Sequence, residues 1–518
     1  MLSKGAAGQP LAALALALLA LRLSTSVLLL PPWAGFDEPY HHGYAEADAA
    51  RLSWPGLREI VVPPRLVQSL RRWPLPKSYA PGFAARSYGE GRAPDREPAP
   101  NPNHETQQSP LYYWAAGLLL RAFGGGDPLR ELYLLRAANA ALSFAIGLIL
   151  LHAAGRRRLA FLPVALLALV PGFGIENCRI ANDALCGLLI GLAAFGALSE
   201  SPGGWRATVG SLAAGLAPWS KLYGLTVVPW SALREALRKS AHLAARAARV
   251  GLILGLPAIL LVYSFQRFGS PFPVMYNVRG APYVNVLVVP WLRDAWAILK
   301  SHIWMSGMDF VVFPTWMYVP PVLLLGWGAG TTLRSAGSSD RRRLAILGAM
   351  LGSFALALAY NSWRTFGYFG GGGGTTGWYL WAAAVPEILF VTDGAIREGV
   401  MTRWALTALS VFFALTVLAD AALLLWSTGL LEVSARAHIL GVVRASVGEV
   451  LARYAASRPL PVALAGAALA LASWAVAAVL LAAVFRLRAS DARSMHPIDR
   501  LAGSGKGGKV QSDQNIRT

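Results

Sequence analysis

Pro110-Leu-Tyr-Tyr-Trp-Ala-Ala-Gly-Leu-Leu-Leu-Arg-Ala-Phe123 is an apolar run of fourteen residues inside an otherwise polar stretch of nearly a hundred, 33–131. A helix that crosses a bilayer needs about 20 residues, so a run this short fits the interface better than the interior. Tyr112, Tyr113 and Trp114 cluster at one end and Arg121 stands near the other, an arrangement suited to headgroup level. This choice sets the side of everything that follows. If the run lies flat, Arg156-Arg157-Arg158, the basic stretch Arg234 to Arg249, Arg341-Arg342-Arg343 and the basic C-terminal tail all share one side. If it spans, every cluster from 156 onward inverts. Cytoplasmic loops collect Lys and Arg, so the flat placement is predicted and the long first loop is exported. The segments 176–182, 266–318, 361–376 and 427–459 then face outward with it.

The rest of the chain supports a membrane class. Of its 518 residues 55% are hydrophobic and 14% charged, against about 25% charged in soluble proteins; a soluble enzyme is excluded. Apolar segments recur at 10–32, 132–153, 159–175, 183–198, 206–219, 222–234, 250–265, 319–333, 344–360, 377–395, 403–426 and 460–485. The expectation is an all-α polytopic membrane protein of about twelve transmembrane helices. Pro218 and Pro229 interrupt 206–234, which reads as a broken pair or a re-entrant hairpin. The first segment follows Lys4 and is too long for a usual signal-peptide core, so it reads as an uncleaved helix with a cytoplasmic N-terminus. The transmembrane domain is expected over 1–485, with 486–518 a basic, disordered cytoplasmic tail. The formal charge of +20 fits loop topology and anionic lipid; no aromatic-basic module points to nucleic acid. Cys178 and Cys186 form no zinc motif and read as buried free thiols.

Few residues of this chain are placed to do chemistry. Phe36-Asp37-Glu38-Pro39-Tyr40-His41-His42 follows the first span at once. A low-dielectric edge raises a carboxylate toward the range of a general base, while the same residues also suit a plain helix start. Asn182-Asp183 opens the fourth span on the same outer face, either as an N-cap or as an ionisable functional group. Cations for a phosphate-bearing substrate are Lys221, within Pro218-Trp-Ser-Lys-Leu-Tyr223, together with Arg364 and Arg136; snorkelling to the interface is the plain alternative for each. Gly370–Gly374, followed by Thr375-Thr376-Gly377-Trp378-Tyr379, matches no phosphate loop. His41, His42, His104 and Glu105 do not make a zinc motif. A carboxylate-bound Mg or Mn is compatible with these acids, though the sequence requires no cofactor.

These elements, in this order, resemble the membrane-embedded C-type glycosyltransferases that use polyprenyl-phosphate sugars, in particular bacterial relatives of protein O-mannosyltransferases and lipid A aminoarabinose transferase. The matching residues are Asp37-Glu38-Pro39-Tyr40-His41, His104-Glu-Thr-Gln-Gln-Ser-Pro-Leu-Tyr-Tyr113, Leu135-Arg136 through Asn139, Asn182-Asp183-Ala184-Leu185, Lys221 and Gly377-Trp378-Tyr379-Leu380. They cover about 10–395. The chain departs from the pattern at Trp378, where relatives often carry Arg, and at Ser109, where a proline is usual.

The resemblance implies an inner-membrane enzyme of a bacterial cell envelope with its active site on the exported face. Asp37 would be the catalytic carboxylate, Glu38 its acidic companion and Asp183 the second outer acid. Lys221 would hold the lipid phosphate, with Arg364 or Arg136 standing in for the arginine that Trp378 replaces. His41, Gln107, Gln108, Tyr112 and Tyr379 would line the substrate. The partners expected are a polyprenyl-phosphate sugar donor, membrane lipid, and a glycan, lipid or protein acceptor that the sequence does not name. Two other classes fit the same residues: a transporter or flippase coupling through the outer acids and Lys221, and an assembly protein with a degraded site.

Overall fold

The computed structural model describes residues 8–494 except 36, 57–58, 74–102, 156, 200–203, 239–241, 273–283, 306–311, 370–376, 399–402, 428–451 and 453. The Gly370–Gly374 run and most of the basic tail lie outside the described residues.

Helix α1, Gly8–Leu29, ends where Pro31 and Pro32 follow, since a proline supplies no N–H and disfavours helical backbone before it. The carbonyls left open at its end are not left bare. Arg136 donates to Val27, Leu30 and Pro31 oxygens at 3.3, 2.7 and 2.9 Å, and Arg458 to Leu28 and Leu29 oxygens at 2.6 and 2.7 Å. Two guanidinium groups thus cap one helix terminus, where the helix dipole favours positive charge.

The chain leaves α1 at that end and returns to the same end. Among the described residues four shorter segments come first: α2 (Glu38–Arg51), α3 (Pro64–Arg72), a 3-10 turn at His104–Gln107 and α4 (Leu111–Phe123). Helix α5 (Pro128–Ala154) then begins, its start capped by Asp127, and Arg136 in its third turn reaches the end of α1. The intervening residues therefore make no net crossing of the bundle. Helix α4 has thirteen residues, about 20 Å, too short for a hydrocarbon core of about 30 Å. It packs on α2 through Gly117, where a Cβ would lie 2.7 Å from the Ala49 nitrogen and 2.8 Å from the Ala45 oxygen. Trp33, Tyr44, Trp54, Tyr113, Leu66 and Leu132 close a second core beneath these short helices.

Beyond α5 come α6 (Leu162–Leu169), α7 (Pro171–Cys178), α8 (Asp183–Leu198), α9 (Trp205–Ser220), α10 (Val228–Ala236), α11 (Leu243–Phe268) and α12 (Trp291–Ile303). They are followed by α13 (Val319–Arg334), α14 (Ser338–Phe369), α15 (Ala384–Glu398), α16 (Arg403–Ser427) and α17 (Leu460–Ser494). Among the described residues seven helices are long and apolar enough to cross a membrane, or eight if the bent pair α7–α8 counts as one span. That is fewer than the twelve expected, for local reasons. Pro171 breaks 159–175 into α6 and α7, α7 and α8 meet at 115°, and α9 and α10 are separated by the 3-10 turn Leu222–Val227. The last helix also runs to Ser494, past the start expected for the tail at 486.

The basic clusters gather at the end opposite the caps of α1. Arg238 donates to Gly196 and Ser199 oxygens at 2.7 and 3.1 Å, at the finish of α8 and about 24 Å along that helix from Asp183. Arg343 lies 3.5 Å from Asp393, and Arg397 bridges Asp393 and Asp340 at 3.0 and 2.5 Å. Within the bundle, Arg22 of α1 pairs with Asp420 of α16 (Nη2–Oδ1 2.9 Å), which also accepts the Trp474 indole N–H at 2.8 Å. One buried carboxylate so joins three helices.

Asp48 of α2 is buried against α4 with no charged partner among the described residues, and burial pushes its carboxyl up to about 8, the Ser53 amide pulling the other way. The unfolded chain releases that proton near pH 4, so stability falls as pH rises from there to about pH 8. Asp48→Asn is expected to flatten that slope in detergent melting curves. Parallel pH curves for the two proteins would remove Asp48 as the cause.

Candidate active site

The site lies at the junction of the short helices and the end of the bundle that holds the α1 caps. Its first element is the turn before α2. Asp37 is the N-cap residue of that helix in the left-handed region, φ 60° and ψ 12°, a conformation that costs about 1–2 kcal/mol for most side chains and less for Asp or Asn. The turn presses on the next element, since a Cβ at Gly35 would lie 2.8 Å from Arg179 Cβ. Asp37 itself is buried and within electrostatic reach of His41, Arg179 and Tyr379.

Glu38 faces elsewhere. Its oxygens accept from Arg136 at 2.6 and 2.8 Å, from the Gly35 amide at 2.9 Å and from the Ile180 amide at 3.0 Å. Burial alone would raise its carboxyl; the Arg136 guanidinium and the two amides more than reverse that and hold it below the usual carboxylate range. Arg136 is committed in turn to Glu38 and to the α1 carbonyls. The structure therefore pairs these two predicted site residues with each other, beside the end of α1.

The second acidic element sits in the bend between α7 and α8. Asp183 opens α8 with Lys221 Nζ at 2.5 Å and Arg179 Nη2 at 3.3 Å, and Arg179 also meets Glu176 at 3.1 Å. All four side chains are buried. Asn139 fixes the bend from α5, donating to the Arg179 and Ala181 carbonyls at 2.5 and 3.1 Å. Lys221 follows α9 in extended backbone, and its ammonium lies over the rings of Tyr379 at 4.9 Å and Tyr223 at 5.7 Å. Cation–π contact and the carboxylate together offset the cost of burying a lysine.

The His104–Tyr113 stretch supplies the rim. Gln108 Oε1 accepts from Asn182 at 3.2 Å, Gln107 is buried, and Tyr112 packs edge-on against Tyr113 at 5.2 Å. His41 Nδ1 lies 2.7 Å from the Tyr113 hydroxyl and 3.8 Å from Glu105. Burial lowers the His41 pKa despite the pull of Glu105 and Asp37, so a neutral imidazole is the form at pH 7. His42 points the other way, to Glu131 at 3.1 Å. Among the described residues no three His, Cys, Asp or Glu side chains converge as a metal site would need, and Glu38 and Asp183 already face cations.

Arg364 stands on α14, which meets the site through Phe354 and Tyr223 at 5.7 Å. Arg364 lies ten residues further along that helix, about 15 Å of helical rise beyond Phe354.

Two groups escaped the sequence reading. Arg179 and Glu176 sit in a short break between apolar segments, and their i,i+3 and i,i+4 spacing to each other and to Asp183 was the available signal. The second is the support under Tyr379. The 3-10 turn Gly377–Ala383 is held by Ser301 Oγ, which accepts the Gly377 N–H at 2.6 Å, and by His302, which pairs with Glu387 at 2.8 Å and lies against Trp381 at 4.0 Å. Gly377 fits because a Cβ there would overlap the Ile298 carbonyl. No spacing in sequence announces these contacts between 298–302 and 377–387.

No family model matches the chain and no curated protein does. Among solved structures it is similar to the crystal structure of ArnT from Cupriavidus metallidurans bound to undecaprenyl phosphate, at 15% identity and a TM-score of 0.45, over 93% of this chain and 78% of that one. It is likewise similar to the apo state of the same protein, at 14% identity and a TM-score of 0.42, over 90% and 76% of the two chains.

Proposed function

We propose that the protein transfers a sugar from a polyprenyl-phosphate donor to an acceptor, at the membrane boundary where α2, α7, α8 and the Gly377–Ala383 turn meet. The observation that carries this reading is the buried Lys221–Asp183–Arg179 cluster within electrostatic reach of a strained carboxylate, Asp37. An acid and two cations gathered at a bilayer edge suit a substrate with an anionic phosphate, a polar sugar and a hydrocarbon tail. The tail stays in lipid, where each CH₂ contributes about 0.8 kcal/mol. Taken with the predicted side of the basic clusters, this boundary is the exported face of a bacterial inner membrane.

In the proposed reaction Asp37 accepts the proton of an acceptor hydroxyl or amide as that group attacks the anomeric carbon. The bond from that carbon to the phosphate oxygen breaks, and the electron pair leaves with the polyprenyl phosphate. Lys221 and Arg179 donate to the phosphate as its charge grows, in a site where displaced water makes each contact stronger. Asp183 and Glu176 orient the two cations, and Glu38 with Arg136 holds the backbone that presents Asp37. The single displacement inverts the anomeric centre. A Mg or Mn ion, if bound, would be held by the Asp37 carboxylate and would supply positive charge to the leaving phosphate, and no step of this scheme runs through it.

A transporter would be expected to carry matched broken spans in two repeats; among the described residues one bent pair is found. The test is native mass spectrometry of gently purified protein. Wild type is expected to carry a polyprenyl phosphate or its glycosylated form, and Lys221→Met to lose most of it. Wild type carrying only ordinary phospholipid, under conditions that preserve lipid complexes, would sink the reading.

A further inference from the structure

The turn leading into α12, with the first residues of that helix, exposes large apolar side chains that no described element covers. Leu287 is 85% and Leu292 89% exposed, with Val286, Val288 and Trp291 also exposed. This is not an unstructured loop. Asn285 caps the turn, accepting the Leu287 N–H at 3.0 Å, and the Trp291 indole donates to the Val286 carbonyl at 2.9 Å. The side chains are thus held outward by a built turn.

The surroundings identify what covers them. Trp363 Nε1 donates to the Val284 carbonyl at 2.9 Å, which fixes the turn to the last part of α14. That part is the site end of the helix, because Arg343 near its start touches the Ala153 carbonyl at the opposite end of the bundle. Tyr360, exposed on that part of α14, lies 6.0 Å from Trp363, so that with Trp291 three aromatic side chains gather around the turn. Aromatic belts of this kind mark headgroup level on membrane proteins. An aliphatic tip extending from such a belt, held against the end of the α14 span, fits acyl chains and glycerol backbone better than water.

We propose that Val286–Leu292 is an anchor immersed in the lipid leaflet at the site's end of the molecule. Helix α12 carries this anchor at one end and, at the other, Ser301 and His302, which hold the turn that places Tyr379 over Lys221. The anchor so ties the floor of the site to the height of the bilayer surface. Exposure and packing place this anchor, whatever reaction the site carries out.

Both native cysteines are buried, so single introduced cysteines can be labelled with an environment-sensitive fluorophore in the full-length protein. Leu287→Cys and Leu292→Cys are compared in proteoliposomes with Gln68→Cys, exposed on the short polar helix α3, and with Leu356→Cys, exposed midway along α14. Labels at 287 and 292 are expected to emit to the blue of the label at 68 and to be quenched several-fold more by phosphatidylcholine spin-labelled near the headgroup. Emission and quenching equal to those at 68 would overturn the proposal. Blue emission without lipid quenching, rising with the protein-to-lipid ratio, would also overturn it and assign the patch to a second copy of the chain.

Discussion

An Asp37→Asn protein is expected to fold, to retain its donor lipid and to lose transfer by about 10²- to 10⁴-fold, the usual contribution of a positioned general base. The substitution keeps the shape of the side chain, and Asn tolerates the left-handed backbone as well as Asp does, so the turn of φ 60° before α2 is preserved. Loss of activity would then belong to the proton and not to the backbone. Turnover of a labelled polyprenyl-phosphate sugar, measured in membranes from cells making each protein, reads the effect. Wild-type turnover in Asp37→Asn would remove Asp37 from the chemistry. A product with retained anomeric configuration would refute the single displacement whatever the variant does.

The second large effect concerns the frame. Arg136→Met leaves Glu38 buried with no counter-ion and opens three carbonyls at the end of α1. Removing one partner of a buried pair costs about 3–5 kcal/mol. Melting in detergent should show the largest drop for this variant, with Glu38→Gln less affected because a neutral amide keeps part of the hydrogen bonding. The double variant Arg136→Met/Glu38→Leu is expected to recover part of the loss, since no lone charge remains, but not all of it, because the α1 carbonyls stay open. Additive losses in the double variant would show that the two residues do not act as a pair. The pH dependence has the opposite sign to that of Asp48. The folded pKa of Glu38 is depressed, so its contribution is present above about pH 4.3 and disappears as pH falls through the folded value.

Sequence and structure differ in an instructive way around these residues. Asp37 and Glu38 are adjacent and equally acidic, and apart from the family resemblance nothing in the sequence separates their surroundings. The N-cap geometry does: it turns Asp37 toward Arg179 and His41, and sends Glu38 to Arg136 on a helix nearly a hundred residues later. Likewise Lys221 and Arg136 were equal candidates for phosphate, yet one lies over Tyr379 and the other caps a helix terminus. Arg179, hidden in a short polar break, joins Asp183 because α7 and α8 meet at a sharp bend.

What the sequence determined by itself was what depends on local composition and period. Membrane class followed from hydropathy, and the short length of α4 from a run of fourteen apolar residues. These depend on transfer of nearby atoms from water and on backbone groups within one turn. Which acid meets which cation, which tryptophan holds which turn, and which apolar tip faces lipid were decided only in three dimensions. Burial and Coulomb energy depend on distances between helices, and residues such as Ser301 and Gly377, or Arg22 and Asp420, become neighbours only when those helices pack.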